Sequence, residues 1–118
     1  MKQCFYFENN IIILGIFNFG VLVIVSHKAI REFCIKNPAW QQALEKWYKE
    51  TAACDWSNFS DIKKTFNSVD SVGNGLFVFN IAGNNCRLVA RIFFKKRTLF
   101  IRFVGTHKQY DHIDISTL

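Results

Sequence analysis

The stretch LFVFNIAGNNCRLVARIFFKKRTLFIRFVGTHKQYD, residues 76–111, decides the fold of this chain. Three runs rich in β-branched and aromatic residues are separated by polar segments at Gly83-Asn84 and Lys95–Thr98. Runs of this kind, bounded by turn residues, are typical of antiparallel strands. The stretch therefore predicts three antiparallel strands, followed by a polar segment that contains His107.

A two-residue turn at Gly83-Asn84 sets the register of the first two strands. One predicted face pairs Ile81 with Cys86, Phe79 with Leu88 and Phe77 with Ala90. The other pairs Asn80 with Arg87, Val78 with Val89 and Leu76 with Arg91. Because a slip of one residue would bury the arginines, this register is well specified. The apolar face should lie in the core.

A second turn with its tip at Lys96-Arg97 extends the pattern to the third strand. It predicts the pairs Ile92–Ile101, Ala90–Phe103, Phe93–Phe100 and Arg91–Arg102. Two arginines directly opposite each other repel, and an anion bound between them would relieve the repulsion. The open face is thus predicted to bind phosphate, unless each arginine pairs with a carboxylate from a loop or the C-terminus, such as Asp111 or Asp114.

Charge and cysteine usage narrow the class of protein. The 118 residues carry a net charge of +6, and residues 86–118 hold seven Lys/Arg against two Asp/Glu. This local excess favours a polyanionic partner for a single domain. The four cysteines show no metal-ligand spacing and are typical of buried, reduced thiols in a cytoplasmic protein. We expect no metal site and no cofactor.

The N-terminal half is predicted to supply one strand and two to three helices. Residues 11–25 are apolar but shorter than the ~20 residues of a membrane-spanning helix, and no signal-peptidase site follows them. Val21–Val25 is expected to form the first strand. Ser26 then starts a helix that ends at Asn37-Pro38, and the stripe Trp40, Ala43, Leu44 and Trp47 marks the next. A short helix is expected at 60–66, and turns at 67–75.

His107 is the best acid/base candidate, because histidine titrates near neutral pH and can either accept or donate a proton. If Thr106 caps a short helix, Asp111 lies four residues further on and can orient the ring. Tyr110 offers a phenol. If the polyanionic partner is RNA, it supplies its own nucleophile, the ribose 2′-OH, so that its cleavage needs no metal. The alternative is a structural histidine near the C-terminus; His27 and His112 are taken as surface or packing residues.

Four motifs carry a family resemblance: VLVIVSHKAIREFC (21–34), WQQALEKWYKE (40–50), VGNG-x₂-VFNIAGNNCRLVARIFF (72–94) and IRFVGTHKQYDHID (101–114). With these motifs the chain resembles the HigB-type toxins of type II toxin–antitoxin modules, in the RelE/ParE-like group of mRNA interferases. The resemblance implies an α+β fold: a RelE-like compact domain with an N-terminal strand, two to three helices, a three-stranded antiparallel sheet and a short C-terminal helix.

The same resemblance implies an endoribonuclease that cleaves mRNA on the ribosome, in the cytoplasm, and a helix-turn-helix antitoxin of the HigA type as partner. The alternatives are a toxin of this fold that acts by binding a protein such as gyrase, and an inactive module that binds RNA or antitoxin. The resemblance matches Asn80, Arg87, Arg102, His107 and Tyr110 to family positions.

The expected site follows from these positions and from the basic face. We expect His107, Arg102 and Tyr110 to be catalytic and Asp111 to orient His107. The expected RNA-binding residues are Asn80, Arg87, Arg91, Lys95 and Lys96. No residue is expected to bind a metal.

Two departures from the family are visible. Many relatives have arginine where Leu76 stands, so one cation of the basic face is expected to be missing. Relatives also begin near Val21, and a valine codon can initiate translation in bacteria. We therefore expect residues 1–20 to be an N-terminal extension from a mis-annotated start, and residues 21–118 to form a single domain.

Overall fold

Five strands form one mixed sheet in the computed structural model, which describes residues 22–83 and 85–118. The strands are β1 (Val23–Val25), β2 (Val69–Gly73), β3 (Leu76–Ile81), β4 (Cys86–Phe93) and β5 (Thr98–Thr106). Their order across the sheet is β1-β5-β4-β3-β2. β1 runs parallel to β5, and the other neighbours are antiparallel. The predicted N-terminal strand is confirmed, but the antiparallel part has four strands instead of three.

The additional strand is β2, which lies at an edge in the segment expected to be turns. It joins β3 through Asn74-Gly75, where both residues have positive φ, 55° and 73°. Two consecutive residues of positive φ are typical of the tight turn that matches the twist of a hairpin. Apart from Val69, the residues of β2 are exposed, so the strand lacks the alternation that marks a half-buried strand.

The predicted register of β3 and β4 is confirmed at all six pairs. The predicted register of β4 and β5 is wrong. The connection is a four-residue turn, Phe94–Arg97, so that Ile92 pairs with Leu99 and Arg91 with Phe100. A bulge follows, because Ala90 pairs with Ile101 but Val89 pairs with Phe103. Arg102 is the extra residue of this bulge and does not face Arg91 directly.

The predicted helices are present, with small shifts of their bounds. They are α1 (His27–Lys36), a 3₁₀ turn (Pro38–Trp40), α2 (Gln41–Ala52), α3 (Phe59–Thr65), α4 (His107–Tyr110) and a last 3₁₀ turn (Ile115–Thr117). Ser26 occupies the N-cap position of α1 but its side chain makes no capping hydrogen bond. Asn58 caps α3, where its side-chain oxygen accepts from the Asp61 backbone N–H at 2.9 Å.

The main core lies between α1–α3 and one face of the sheet. Leu44, Trp47 and Ile62 of the helices are buried with Phe79 and Leu88 of the sheet. Trp47 contacts Phe79 edge to face, with 5.2 Å between ring centroids. The apolar face expected from the strand pairing is therefore the buried one, and Trp47 of the predicted stripe packs on it.

The second face of the sheet is not fully open, contrary to expectation. Leu76, Val78 and Val89 are buried there, at 2%, 3% and 0% exposure. Phe103, Tyr110, Ile115 and Leu118 pack over them. Phe103 was expected in the main core, but the bulge at Arg102 turns it to this second face. Leu76 therefore belongs to a small second core, which explains an apolar residue at a position where a cation was expected.

The remaining expectations concern cysteines, membranes and the N-terminus. Cys34 and Cys86 are free and buried, as expected. Within residues 22–83 and 85–118, no helix has the length and apolar character needed to cross a membrane. The expected extension at 1–20, the start at Val21 and half of the turn at Gly83-Asn84 lie outside the described residues.

Candidate active site and basic pocket

The short helix α4 places His107 at the end of β5. Thr106 and Gln109 form a reciprocal capping box: the Gln109 N–H donates to Thr106 Oγ1 at 3.1 Å, and the Thr106 N–H donates to Gln109 Oε1 at 2.9 Å. The His107 backbone N–H donates to the Asn85 carbonyl at 3.1 Å. The capping box gives partners to N–H groups at the start of the helix, and the bond from His107 to Asn85 fixes α4 against the β3–β4 turn.

Asp111 lies beside the His107 ring. Nδ1 of His107 lies 3.1 Å from Oδ2 of Asp111, and both side chains are about half exposed, at 53% and 55%. When Nδ1 donates its proton to a carboxylate, Nε2 is left as the free acceptor of a neutral imidazole. The structure therefore places an imidazole and a carboxylate side by side at the end of β5.

Arg87 and Tyr110 lie beside this pair. The Arg87 guanidinium is 5.9 Å from the centroid of the Tyr110 ring, and Tyr110 contacts Phe103 at 6.3 Å between centroids. Tyr110 is three residues after His107 on the same short helix, so the two side chains share a face. We call His107, Asp111, Tyr110 and Arg87 the His107 site.

Gly105 permits this packing. It pairs with Arg87 across the sheet, and a Cβ at this position would lie 2.4 Å from Cζ of Phe103 and 2.9 Å from Oε1 of Gln109. Carbon atoms do not approach so closely without displacement of one partner. The absence of a side chain at Gly105 therefore lets the Phe103 ring and the α4 cap occupy the space above β5.

Arg91 and Arg102, two of the expected site residues, lie at the other end of the sheet. They line a cavity of about 430 Å³ together with Phe93, Lys96, Thr98, Phe100 and Leu118, which we call the basic pocket. Arg102 is five residues before His107 on an extended strand, a separation of about 16 Å at ~3.3 Å per residue. The structure does not bring Arg102 to His107, so the expected catalytic trio is divided between two places.

The other expected RNA-binding residues are also divided. Asn80 lies in register with Arg87, and its side-chain N–H donates to Ser68 Oγ at 3.1 Å. Lys95 and Lys96 are exposed in the β4–β5 turn. The Lys96 ammonium lies 5.7 Å from the centroid of the Phe93 ring.

The carboxylates considered as neutralising partners bind elsewhere. Asp111 pairs with His107. Asp114 accepts from the Ser116 hydroxyl and N–H, and these hydrogen bonds lower the pKa of Asp114. Arg91 and Arg102 instead donate to main-chain oxygens, those of Asn74 and Leu118. Asp111 and Asp114 therefore do not pair with these arginines, whereas Arg102 binds an oxygen of Leu118, the last residue of the chain.

Sequence reasoning missed Gln109 and gave too little weight to Phe93. The signal for Gln109 was present, because Thr106-x-x-Gln109 has the spacing of a capping box. Phe93 had a predicted partner in Phe100 but no role; the two rings do meet, edge to face at 5.8 Å. Within the described residues, no group of three His, Cys, Asp or Glu side chains is placed to hold a metal ion.

Comparison with known proteins places the chain in a family. Residues 40–113 match the family model of HigB toxins, described as the RelE-like toxic component of a toxin–antitoxin system. The chain is 31% identical over 90 residues to the mRNA interferase toxin HigB of Escherichia coli (strain K12), which covers 75% of this chain and 86% of that protein. The mRNA interferase HigB of Shigella flexneri gives the same figures.

A more distant relative is the mRNA interferase HigB of Escherichia coli O6:H1, 27% identical over 92 residues, or 76% of this chain and 89% of that protein. The family match includes Asn80, Arg87, Arg102 and the whole His107 site. The chain belongs to the HigB family of RelE-like toxins, the toxic components of toxin–antitoxin systems.

Proposed function

We propose that this protein is an endoribonuclease that cleaves mRNA by attack of a ribose 2′-OH on the adjacent phosphate. The observation that carries the proposal is the His107–Asp111 pair beside Arg87 and Tyr110. The relatives' names, which say mRNA interferase, support the same substrate. The reaction needs a proton acceptor, a proton donor and a cation at the phosphate, and the His107 site offers one residue for each.

His107 is the proposed proton acceptor. Its Nε2 takes the proton of the 2′-OH as the 2′ oxygen bonds to phosphorus, and Asp111 stabilises the imidazolium that forms. The bond from phosphorus to the 5′ oxygen then breaks. The leaving oxygen takes a proton from Tyr110, whose phenol lies on the same face of α4. The products are a 2′,3′-cyclic phosphate and a 5′-hydroxyl end.

Arg87 is the proposed phosphate ligand of this site. A guanidinium presents paired N–H groups that match two phosphate oxygens, and it stabilises the charge that accumulates on them during attack. Its position over Tyr110 holds the side chain at the end of the sheet. Arg87 therefore takes the role first expected of Arg102. Asn80, which lies in register with Arg87, is the proposed contact of the neighbouring part of the RNA.

We further propose that cleavage occurs on the ribosome, in the cytoplasm, and that a helix-turn-helix antitoxin of the HigA type neutralises the toxin. The family description supports an antitoxin partner in general. Cleavage of a translated mRNA in a cell-free extract, compared with the same RNA without ribosomes, tests the first part. Rescue of growth by co-expression of a neighbouring helix-turn-helix reading frame tests the second.

The nuclease itself is tested by induced expression of wild type, His107→Ala and His112→Ala, followed by mapping of mRNA 5′ ends. His112 is an exposed histidine on the same C-terminal segment and serves as the matched control. We expect new 5′-hydroxyl ends with wild type and His112→Ala, and none with His107→Ala. Purified wild type should keep its activity in a chelator.

Each other outcome has a defined meaning. Growth arrest by wild type without new mRNA ends would reject the nuclease and favour a toxin that acts by binding a protein. Equal cleavage by wild type and His107→Ala would leave the nuclease intact and remove His107 from its mechanism. Product ends that carry a 5′-phosphate would reject attack by the 2′-OH.

A further inference from the structure

The basic pocket is a second cluster of cationic and aromatic side chains, separate from the His107 site. It is about 430 Å³ in volume and is lined by three cationic side chains, Arg91, Lys96 and Arg102, and by the rings of Phe93 and Phe100. No aspartate or glutamate of the described part of the chain lines it. An open cavity with several cations and aromatic rings favours a ligand that carries both negative charge and a flat apolar surface.

The two arginines are fixed in place by hydrogen bonds to oxygens of the chain itself. Arg91 donates through Nη1 to the Asn74 carbonyl, and Arg102 donates through Nε to the Leu118 main-chain oxygen at 3.2 Å. Each guanidinium has five N–H donors, so one bond to a main-chain oxygen leaves others for a ligand. Arginines positioned in this way are suited to grip phosphate oxygens.

Phe93 supplies the flat surface. It is 39% exposed, so part of its ring is accessible to a ligand. Its ring is supported by Phe100 edge to face, with 5.8 Å between centroids, and Lys96 lies 5.7 Å from its centroid. The ring is therefore rigidly placed and accompanied by a cation, as in the aromatic platforms on which proteins stack unpaired bases.

We propose that the basic pocket binds one nucleotide of a single-stranded RNA substrate, with its phosphate on Arg91 and Arg102 and its base stacked on Phe93. Bases in a duplex have their faces covered by neighbouring bases, so this contact selects an unpaired strand. The inference rests on the proposed function, because the strand is the one that reaches the His107 site.

The pocket lies away from the scissile phosphate. Arg91 is four residues from Arg87 on β4, about 13 Å at ~3.3 Å per residue. A stacked strand rises ~3.4 Å per nucleotide, so the nucleotide in the pocket is up to about four positions from the phosphate at Arg87. The pocket thus sets which part of the strand is held, separately from the chemistry.

The test measures binding alone, in protein that carries His107→Ala so that no cleavage occurs. Fluorescence anisotropy gives the affinity for a labelled eight-nucleotide single-stranded RNA and for a series in which one base at a time is removed. We expect one abasic position to weaken binding about 10- to 100-fold, the usual effect of losing a stacked base. Phe93→Ala should weaken binding of the intact RNA by the same factor. In this variant, removal of the base at that one position should have no further effect on affinity.

The phosphate contact has its own variant. Arg91→Gln should reduce the slope of log affinity against log salt by about 0.7, the value for one phosphate contact of a single strand. Lys36→Gln removes the same charge on the opposite side of the molecule, and Ile35→Ala removes an apolar side chain that is 79% exposed. Neither control substitution should change which abasic position weakens binding. Thermal melts of all variants check the fold.

The proposal is overturned if Phe93→Ala binds the intact RNA as tightly as its parent, or if its effect adds to that of every abasic position. It is also overturned if Phe93→Ala weakens only the binding of an antitoxin, which would make the pocket a protein interface. None of these measurements depends on cleavage. A wild-type protein that binds RNA in this way but does not cleave it would reject the proposed function without overturning the proposed binding.

Discussion

At the scale of single residues, Asp111 decides what His107 can do. Oδ2 of Asp111 lies 3.1 Å from Nδ1 of His107 and restrains the orientation of the ring. We expect Asp111→Asn to lower the single-turnover cleavage rate about 10-fold or more, because the amide can donate to Nδ1 and favour the wrong tautomer. RNA affinity should stay unchanged, which separates a positioning role from a binding role.

The control for this substitution is Asp114→Asn, a nearby exposed carboxylate whose partner is Ser116. Asp111→Glu should recover part of the rate, since it restores the acceptor with one more methylene. Loss of RNA affinity in Asp111→Asn, or equal rates in both asparagine variants, would contradict the positioning role.

The buried Cys86 thiol should make the free energy of unfolding depend on pH in the alkaline range. Burial, and secondly the neighbouring Cys34 thiol, raises the pKa of Cys86 to about 11, although Arg87 acts in the opposite direction. The folded state therefore holds this proton more tightly than the unfolded state, whose thiol titrates near ~8.5–9. The stabilisation is complete below that value and is lost between about pH 9 and 11.

The free energy of unfolding of wild type should thus fall as pH rises through this range, by an amount of order 2 kcal/mol from this group. Chemical denaturation at several pH values measures it. Cys86→Ala provides the comparison: its stability is lower at pH 8, but its curve should be flatter between pH 9 and 11. Parallel curves for the two proteins would show that other groups cause the pH dependence.

At the scale of elements, turns explain where sequence reasoning succeeded. The β3–β4 register followed from the turn residues near Gly83, and the structure reproduces it pair for pair. The β4–β5 register failed because the turn has four residues and ends at Arg97, which has a φ of 53°. No glycine marks that left-handed position, and the bulge at Arg102 leaves no signal in the alternation of residues.

The edge strand β2 was missed for a related reason. Its sequence VDSVG is exposed except for Val69, so it lacks a buried side that would produce a pattern. The Asn74-Gly75 pair was the available signal, because Asn-Gly strongly favours a hairpin turn. A turn there requires a strand on each side, and sequence reasoning assigned the strand on one side alone.

Gly105 connects β5 with α4, and its substitution tests that connection. Gly105→Ala places a methyl group where Phe103 and Gln109 now lie, at 2.4 and 2.9 Å. We expect the free energy of unfolding to fall by about 1–3 kcal/mol, the usual cost of overpacking. Displacement of the α4 cap should also lower the cleavage rate, because His107 is the first residue of α4.

Combining Gly105→Ala with Phe103→Leu, which makes room for the methyl group, should recover part of the stability. Denaturant titrations of the single and double variants measure this recovery. If Gly105→Ala were as stable and as active as wild type, the close packing over β5 would not matter for the site.

At the scale of the whole molecule, the second core lies between the two proposed sites on one face of the sheet. Leu76, Val78 and Val89 are covered by the C-terminal segment. This covered zone divides the His107 site from the basic pocket. Sequence pairing placed the arginines on the correct face, but it could not show that a distant segment covers the middle of that face, because such contacts depend on packing over long separations.

The last prediction concerns the link between the helical layer and the sheet. Arg97, in the β4–β5 turn, donates to Asp55 Oδ1 at 2.6 Å and to the Trp56 carbonyl, while its own carbonyl accepts from the Val23 N–H at 2.8 Å. Its side chain is 23% exposed. One residue thus joins β1, the β4–β5 turn and the loop between α2 and α3, three segments distant in sequence.

We expect Arg97→Ala to lower the free energy of unfolding by about 2–4 kcal/mol, because it leaves a half-buried carboxylate and a carbonyl without their donor. Lys95→Ala, an exposed neighbour in the same turn, should change it by less than about 0.5 kcal/mol. A double-mutant cycle of Arg97→Ala and Asp55→Ala, measured in denaturant, should give a coupling of about 1–3 kcal/mol. Additive effects of the two substitutions would mean that the Arg97 side chain stabilises the protein through the Trp56 and Phe94 carbonyls instead of through Asp55.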